Sequence, residues 1–192
     1  STYQQDAKSV VAAAPKPDVE VKEDQANLTS QDDQLGTATY HTVLTQDAWD
    51  ALFDRMQQAD HFAIDTETTN LDYRIAALVG FSVAFDANDA YYVPVAHDYE
   101  GAPEQLNRDQ LLAQIKPILE NAEVKKIGHH LKYDAHIFAN HSIELKGWYF
   151  DTMLASYVLN AAATRHGMDD VARLYLSHLT TTFEQIAGKG AK

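Results

Sequence analysis

The run 61–72, HFAIDTETTNLD, places the tightest limit on what this chain can fold into. Its apolar residues alternate, and in an extended strand residues two apart share a face. Phe62 and Ile64 then point one way, and Ala63, Asp65 and Glu67 the other. Two carboxylates side by side repel each other unless positive charge sits between them. Two readings are open at this point: an acidic strand end running out into solvent, or a metal site.

The remaining chain supplies a sheet and its helices. Residues 1–38 are rich in Gln, Asp, Ala, Ser and Thr, show no persistent period, and read as a flexible acidic linker or arm. The ordered domain is expected over 39–192 and opens with a short strand at 40–44. A helix follows, with Thr45 as N-cap and Trp49, Leu52, Phe53 and Met56 at helical spacing. After the strand HFAIDTE come two more, LVGFSVAF and AYYVPV, joined by the hairpin turn DAND. Asn107 caps a second helix with Leu111, Leu112, Ile115 and Leu119 on one face, and Pro117 late in it is expected to bend it. The short strand VKKIGH leads to a helix, LKYDAHIFANH, that buries Ile137 and Phe138. Two more helices close the pattern, DTMLASYVLN capped by Asp151, and MDDVARLYL with Val171, Leu174 and Leu176 apolar. There is no internal repeat. This order predicts an α/β protein, a mixed β-sheet flanked by helices. Ligands of such sheets gather near strand ends, where Asp65 and Glu67 fall.

Composition narrows the chemistry. The chain has 192 residues, 45% of them hydrophobic, enough for one domain plus a tail. It has no cysteine, which excludes disulfides and thiolate-bound metals. The lack of cysteine fits a cytoplasmic protein, and with no apolar run long enough to span a bilayer and no signal-peptide pattern at the start, no membrane partner is expected. The first residue is Ser, so a fragment or processed chain is expected. A net charge of −13 opposes nucleic-acid binding unless the acids hold divalent cations that supply the positive charge.

One pair of acids cannot hold two cations, and the candidate for a further carboxylate is Asp134, flanked by Lys132 and Tyr133. By itself a helical Asp beside Lys reads as a solvated surface charge. The motifs taken together say more. FAIDTETTNLD, then IGHHLKYDAHIFANHSIELKGWYFDTMLASYVLN, RHGMDDVA and TTFEQIAGKG occur in one order. Over 62–189 they resemble the proofreading 3′–5′ exonuclease domain of bacterial DNA polymerase I, the family A polymerases, within the DEDD exonuclease superfamily.

The resemblance implies a ribonuclease-H-like fold and two-metal hydrolysis of a phosphodiester. It makes Asp65, Glu67 and Asp134 the catalytic and metal-binding carboxylates, with Asp65 bridging two cations, Mg²⁺ or alternatively Mn²⁺ or Zn²⁺. Leu71 matches an apolar wedge against the terminal base. Tyr133 and Phe183 match aromatics near the single strand, and Arg165 could reach a phosphate. The alternative for Leu71, Tyr133 and Phe183 is plain core packing. The implied substrate is a frayed, single-stranded 3′ end of DNA, with a deoxynucleoside monophosphate as product and a bacterial polymerase domain as partner in the same full-length chain. The family's fourth carboxylate, in a Tyr-x-x-x-Asp motif, would lie beyond AGKGAK, so a domain truncated before its last motif is expected, with Asp151 as the acid that could substitute. His130 stands where the family usually has Asn. A ribonuclease-D-like enzyme and a non-catalytic single-strand-binding or spacer module are the competing readings.

Overall fold

The computed structural model describes residues 38–181. The expected acidic arm lies outside them, apart from residue 38. In chain order the elements are β1 (Thr39–Thr42), α1 (Gln46–Gln58), β2 (His61–Thr68), β3 (Leu78–Asp86), β4 (Asp89–Pro94), α2 (Arg108–Leu119), β5 (Lys125–Gly128), α3 (Leu131–Asn140), β6 (Trp148–Asp151), α4 (Thr152–Asn160) and α5 (Met168–Leu176). The strands form one mixed sheet in the order β1-β4-β3-β2-β5-β6. β2, β3 and β4 pair antiparallel, whereas β1 on β4, β5 on β2 and β6 on β5 pair parallel.

Local chemistry accounts for most boundaries. Thr45 Oγ1 accepts from Ala48 N and Asn107 Oδ1 from Gln110 N, each satisfying a donor that the first turn of a helix leaves free. α2 runs on past Pro117 to Leu119, close enough to its end that the missing donor is tolerated. In the hairpin turn Asp86 Oδ1 accepts from Asn88 N at 2.8 Å.

The alternation of β2 holds in three dimensions. Phe62, Ile64 and Thr66 are 0%, 2% and 8% exposed, while Ala63, Asp65 and Glu67 are more open. The buried face joins Phe81, Val83 and Val93 of neighbouring strands in a core closed by Trp49, Leu52 and Met56 of α1, Leu112 and Ile115 of α2, and Ile137 and Phe138 of α3. Trp49 Nε1 donates to Gln114 Oε1 at 2.5 Å, so its polar tip is satisfied inside that core.

Three features depart from the sequence reading. β6 is a strand the pattern does not show: Trp148, Tyr149 and Phe150 are all exposed, with no alternation, and only pairing with β5 makes them a strand. Lys126 lies fully buried in β5, its Nζ donating to Ile118 O and Asn121 O at 2.8 and 2.7 Å at the end of α2. Burial pulls its pKa down to about 8. In α5 the apolar spacing exists, but Leu174 and Leu176 remain about half exposed.

β6 matters because it ends on Asp151. That carboxylate accepts from Met153 N and Leu154 N to cap α4, and from His130 N and Leu131 N to hold the start of α3. Burial alone would raise its pKa, but the four backbone donors hold it below the usual carboxylate value. Asp151→Ala should therefore cost about 2–3 kcal/mol in urea unfolding, more than a single cap. Because the pKa is lowered, the contribution should be present above pH 4 and vanish as pH falls through the folded value. An unchanged unfolding midpoint at pH 7 would show that neither helix depends on this cap.

Candidate active site

The site forms where β5 ends and β2 continues. Pairing between them stops at Ala63 and Ile127, so the next donors of β2 on that side have no neighbouring strand. Asp134, in the first turn of α3, takes the place. Its Oδ1 accepts from Thr66 N at 3.0 Å and from Thr66 Oγ1 at 2.6 Å. The side chain is 2% exposed, so Asp134 is no solvated surface charge. Burial lifts its pKa to about 6 even against the two Thr66 bonds.

Asp65, on the open face of β2, is raised further, to about 7, first by burial and then by the charges of Asp134 and Glu67. Glu67 is exposed at a point where the β2–β3 register shifts, a local irregularity just past its pairing with Gly80. The fold thus brings the three acids into one field. They do not close into a ready-made ligand set: among the described residues no group of three His, Cys, Asp or Glu is arranged to hold a metal. Their mutual repulsion and the commitment of one Asp134 oxygen to Thr66 both work against closure.

Small side chains leave room beside Asp65. A cavity of about 230 Å³ lies between Asp65 and His129, floored by Ala63, Ser82 and Ala84. His129 Nδ1 meets Thr152 Oγ1 at 2.8 Å, its Nε2 is buried without a hydrogen bond, and burial pushes its pKa down. His130 sits at the α3 N-cap with φ of +70°. His and Asn are among the few side-chain types that adopt this left-handed region readily, which accounts for His at a position where Asn is usual.

The other sequence candidates fall in different places. Leu71 is 94% exposed in the loop after β2. Tyr133 is half-buried against the core, and its Oη donates to Asn70 O at 2.5 Å in that same loop, with Thr68 Oγ1 2.6 Å away. Arg165 is exposed between α4 and α5, and no hydrogen bond or ion pair joins it to Asp65, Glu67 or Asp134. Phe183 lies outside the described residues. Asp151 accepts from four backbone donors, which cap α4 and hold the start of α3.

Sequence reasoning missed Tyr92. A Cβ on Gly80 would lie 2.2 Å from Tyr92 Oη, so glycine opposite Glu67 makes room for this ring. Tyr92 Oη lies 2.6 Å from His97 Nε2, and Gln105 grips the backbone N and O of His97. Burial, then the Glu67 charge, pushes the phenol up to about 12. The signal was the cross-strand row Asp65, Ser82, Tyr92, which becomes visible once strand register is known.

Comparisons with known proteins bear on the family and the fold. A family model described as 3′–5′ exonuclease matches residues 40–192. DNA polymerase I of Pseudomonas aeruginosa is 47% identical over 175 residues, covering 90% of this chain and 19% of the relative. Among solved structures, Escherichia coli RNase D, an exoribonuclease, superposes with a TM-score of 0.55 at 17% identity, over 78% of this chain and 40% of its own. Brucella melitensis NrnC with bound Mg²⁺ gives 0.52 at 20% identity, over 81% and 70%. Both structural likenesses support the ribonuclease-H-like sheet. The chain spans about a fifth of the length of the curated relatives it matches. With a family match across most of its length and high identity to such a relative, this chain belongs to the 3′–5′ exonuclease domains of the DNA polymerase I family.

Proposed function

We propose that this chain is the proofreading exonuclease of a bacterial DNA polymerase I, working in the cytoplasm and removing mispaired nucleotides one at a time from a DNA 3′ end. The observation that carries the reading is the coupled pair of half-buried and buried carboxylates, Asp65 and Asp134, delivered by separate elements to one strand end. Such a pair costs free energy unless cations neutralise it, and functional sites are where that cost is tolerated. A ribonuclease-D-like role is less favoured, because the RNase D likeness is one of fold at 17% identity, whereas the polymerase likeness is one of sequence at 47%.

The donors suit a hard divalent cation, Mg²⁺ or Mn²⁺ and alternatively Zn²⁺, since all three are carboxylates. Asp65, Glu67 and Asp134 would hold two such ions. When bound, these would supply a water of lowered pKa and neutralise charge on the leaving 3′ oxygen. The chain's own residues do the rest. Thr66 fixes the carboxylate of Asp134. Glu67, exposed at the strand end, faces the incoming phosphate. Leu71 presses on the terminal base, Arg165 meets a phosphate, and Tyr133 lines the path of the single strand, while Phe183 matches a further aromatic of the family's single-strand contacts. Stacking and wedging of this kind carry little sequence preference. The deoxynucleoside monophosphate leaves as product, and the polymerase domain of the longer protein passes the 3′ end to the site.

Digestion of a 3′-labelled single strand in saturating Mn²⁺ tests the assignment. Asp65→Ala should keep the fold and lose at least the ~10–100-fold that removal of a metal's outer-shell partner costs. Near-parental digestion by this variant would end the two-metal reading. No Tyr in the 192 residues has an Asp four positions on, so the family's fourth carboxylate has no counterpart here. We expect this chain to cut more slowly than a polypeptide that includes the motif. Equal single-turnover rates would show that three acids suffice.

The raised pKa values give a second test, one without substrate. Asp65 titrates near 7 in the folded chain but near 3.8 when unfolded, so the folded state holds the extra proton between those values. Without metal, its contribution to stability therefore falls as pH rises from about 4 to 7. Asp65→Asn should raise Tm in EDTA at pH 7.5 and leave it nearly unchanged at pH 4. Mn²⁺ should raise the parental Tm at pH 7.5 and do little for the variant. The same Mn²⁺ response in both proteins would remove Asp65 from the metal site.

A further inference from the structure

The loop 69–77, between β2 and β3, carries Leu71 and Ile75 into solvent, at 94% and 69% exposure. Its base is closed by Thr69 N donating to Ala77 O at 3.1 Å and Ala77 N donating to Thr69 Oγ1 at 3.0 Å. Within it, the Asp72 carboxylate accepts from the backbone N and guanidinium of Arg74, and Asp72 O accepts from Ile75 N and Ala76 N. These bonds shape the turn but attach it to nothing else.

The attachment comes from α3. Tyr133 Oη donates to Asn70 O at 2.5 Å. The His136 ring stacks on Tyr73 with centroids 4.0 Å apart and planes 9° from parallel. Asn140 Nδ2 donates to Tyr73 O at 2.7 Å. Residues 133, 136 and 140 stand three and four apart, so they form one stripe along the helix. The same helix locks Asp134 onto Thr66. One rigid element therefore positions both the buried acid and the loop with its two exposed apolar side chains.

Resting on the exonuclease reading of this site, we propose that His136 and Asn140 are positioning residues that brace Tyr73, and that the braced loop, through Leu71 and Ile75, parts a paired 3′-terminal nucleotide from its partner strand. Unpairing and unstacking a terminal base costs free energy, and a loop that yields cannot supply it. A single-stranded end requires no parting, so loosening the brace should cost more on a paired end than on a single strand. Ile75 is then a second apolar contact beside Leu71.

The test separates the brace from the chemistry. A DNA duplex with 2-aminopurine at its paired 3′ terminus is titrated with the 192-residue chain in Ca²⁺, and the fluorescence rise on unstacking is followed. The parent should raise it. Asn140→Ala and His136→Ala should give a smaller rise, and His136→Phe, which keeps a stacking ring, should restore the parental one. Amide exchange over residues 69–77 should quicken about tenfold in Asn140→Ala, the factor that goes with losing one hydrogen bond, and should also quicken in His136→Ala, which loses the stack. Amides of β2 and β3 should be unchanged. Absence of a parental rise, a rise untouched by both alanine substitutions, or unchanged exchange would each overturn the proposal. Digestion of a single strand in Mn²⁺ should slow less in both alanine variants than digestion of the paired end, and equal slowing on the two substrates would overturn the proposal. A parental chain that unstacks the duplex end but cuts no strand would instead count against the exonuclease reading.

Discussion

The grip of Asp134 on Thr66 is the contact on which the site depends. β2 runs further than β5, and the donors it leaves bare must be met or buried at a cost. A carboxylate from the first turn of α3 meets both the N–H and the hydroxyl of one residue. That sets how α3 meets the sheet and brings a second acid within the field of Asp65. A neutral side chain could fill the same gap more cheaply, since charge taken from water is destabilising unless compensated. An acid here is explained by what it does for the site rather than by what it does for the fold.

Electrostatics then carries the functional argument. A chain at −13 repels DNA over most of its surface, yet its most strained charges collect at one strand end. Hard cations bound there would reverse the local sign and make that end the place where a phosphodiester is welcome. The contrast with Asp151 is instructive. It is also partly buried, but four backbone donors hold its charge stable, and it works as a structural clamp. Donor supply, not burial alone, separates the acid whose pKa is lowered from the acids whose pKa is raised.

α3 is the measuring element of the site. Its start is held by Asp151 from β6, its first turn supplies Asp134, and its outer stripe reaches the loop that bears Leu71. A shift of α3 would therefore move Asp134 and the loop bearing Leu71 together.

Much of this was written in local chemistry. Strand alternation in 61–68 placed Asp65 and Glu67 on one face, and Thr45, Asn107 and Asp151 marked helix starts, because a cap or a period involves only near neighbours. The motif order carried the family as well. What the sequence could not decide depended on partners far along the chain. LKYD reads as a surface helix until Thr66, 68 residues earlier, shows Asp134 to be buried. Lys126 carries no local sign of burial, and the end of α2 supplies two carbonyls for it. Trp148 to Phe150 become a strand through β5, and Tyr92 joins the site through register. In α5 the spacing announces an apolar face, yet Leu174 and Leu176 stay half exposed. Periodicity follows from backbone geometry and is therefore local. Burial, charge coupling and strand pairing are set by whatever the rest of the chain packs alongside, and only the tertiary structure decides them.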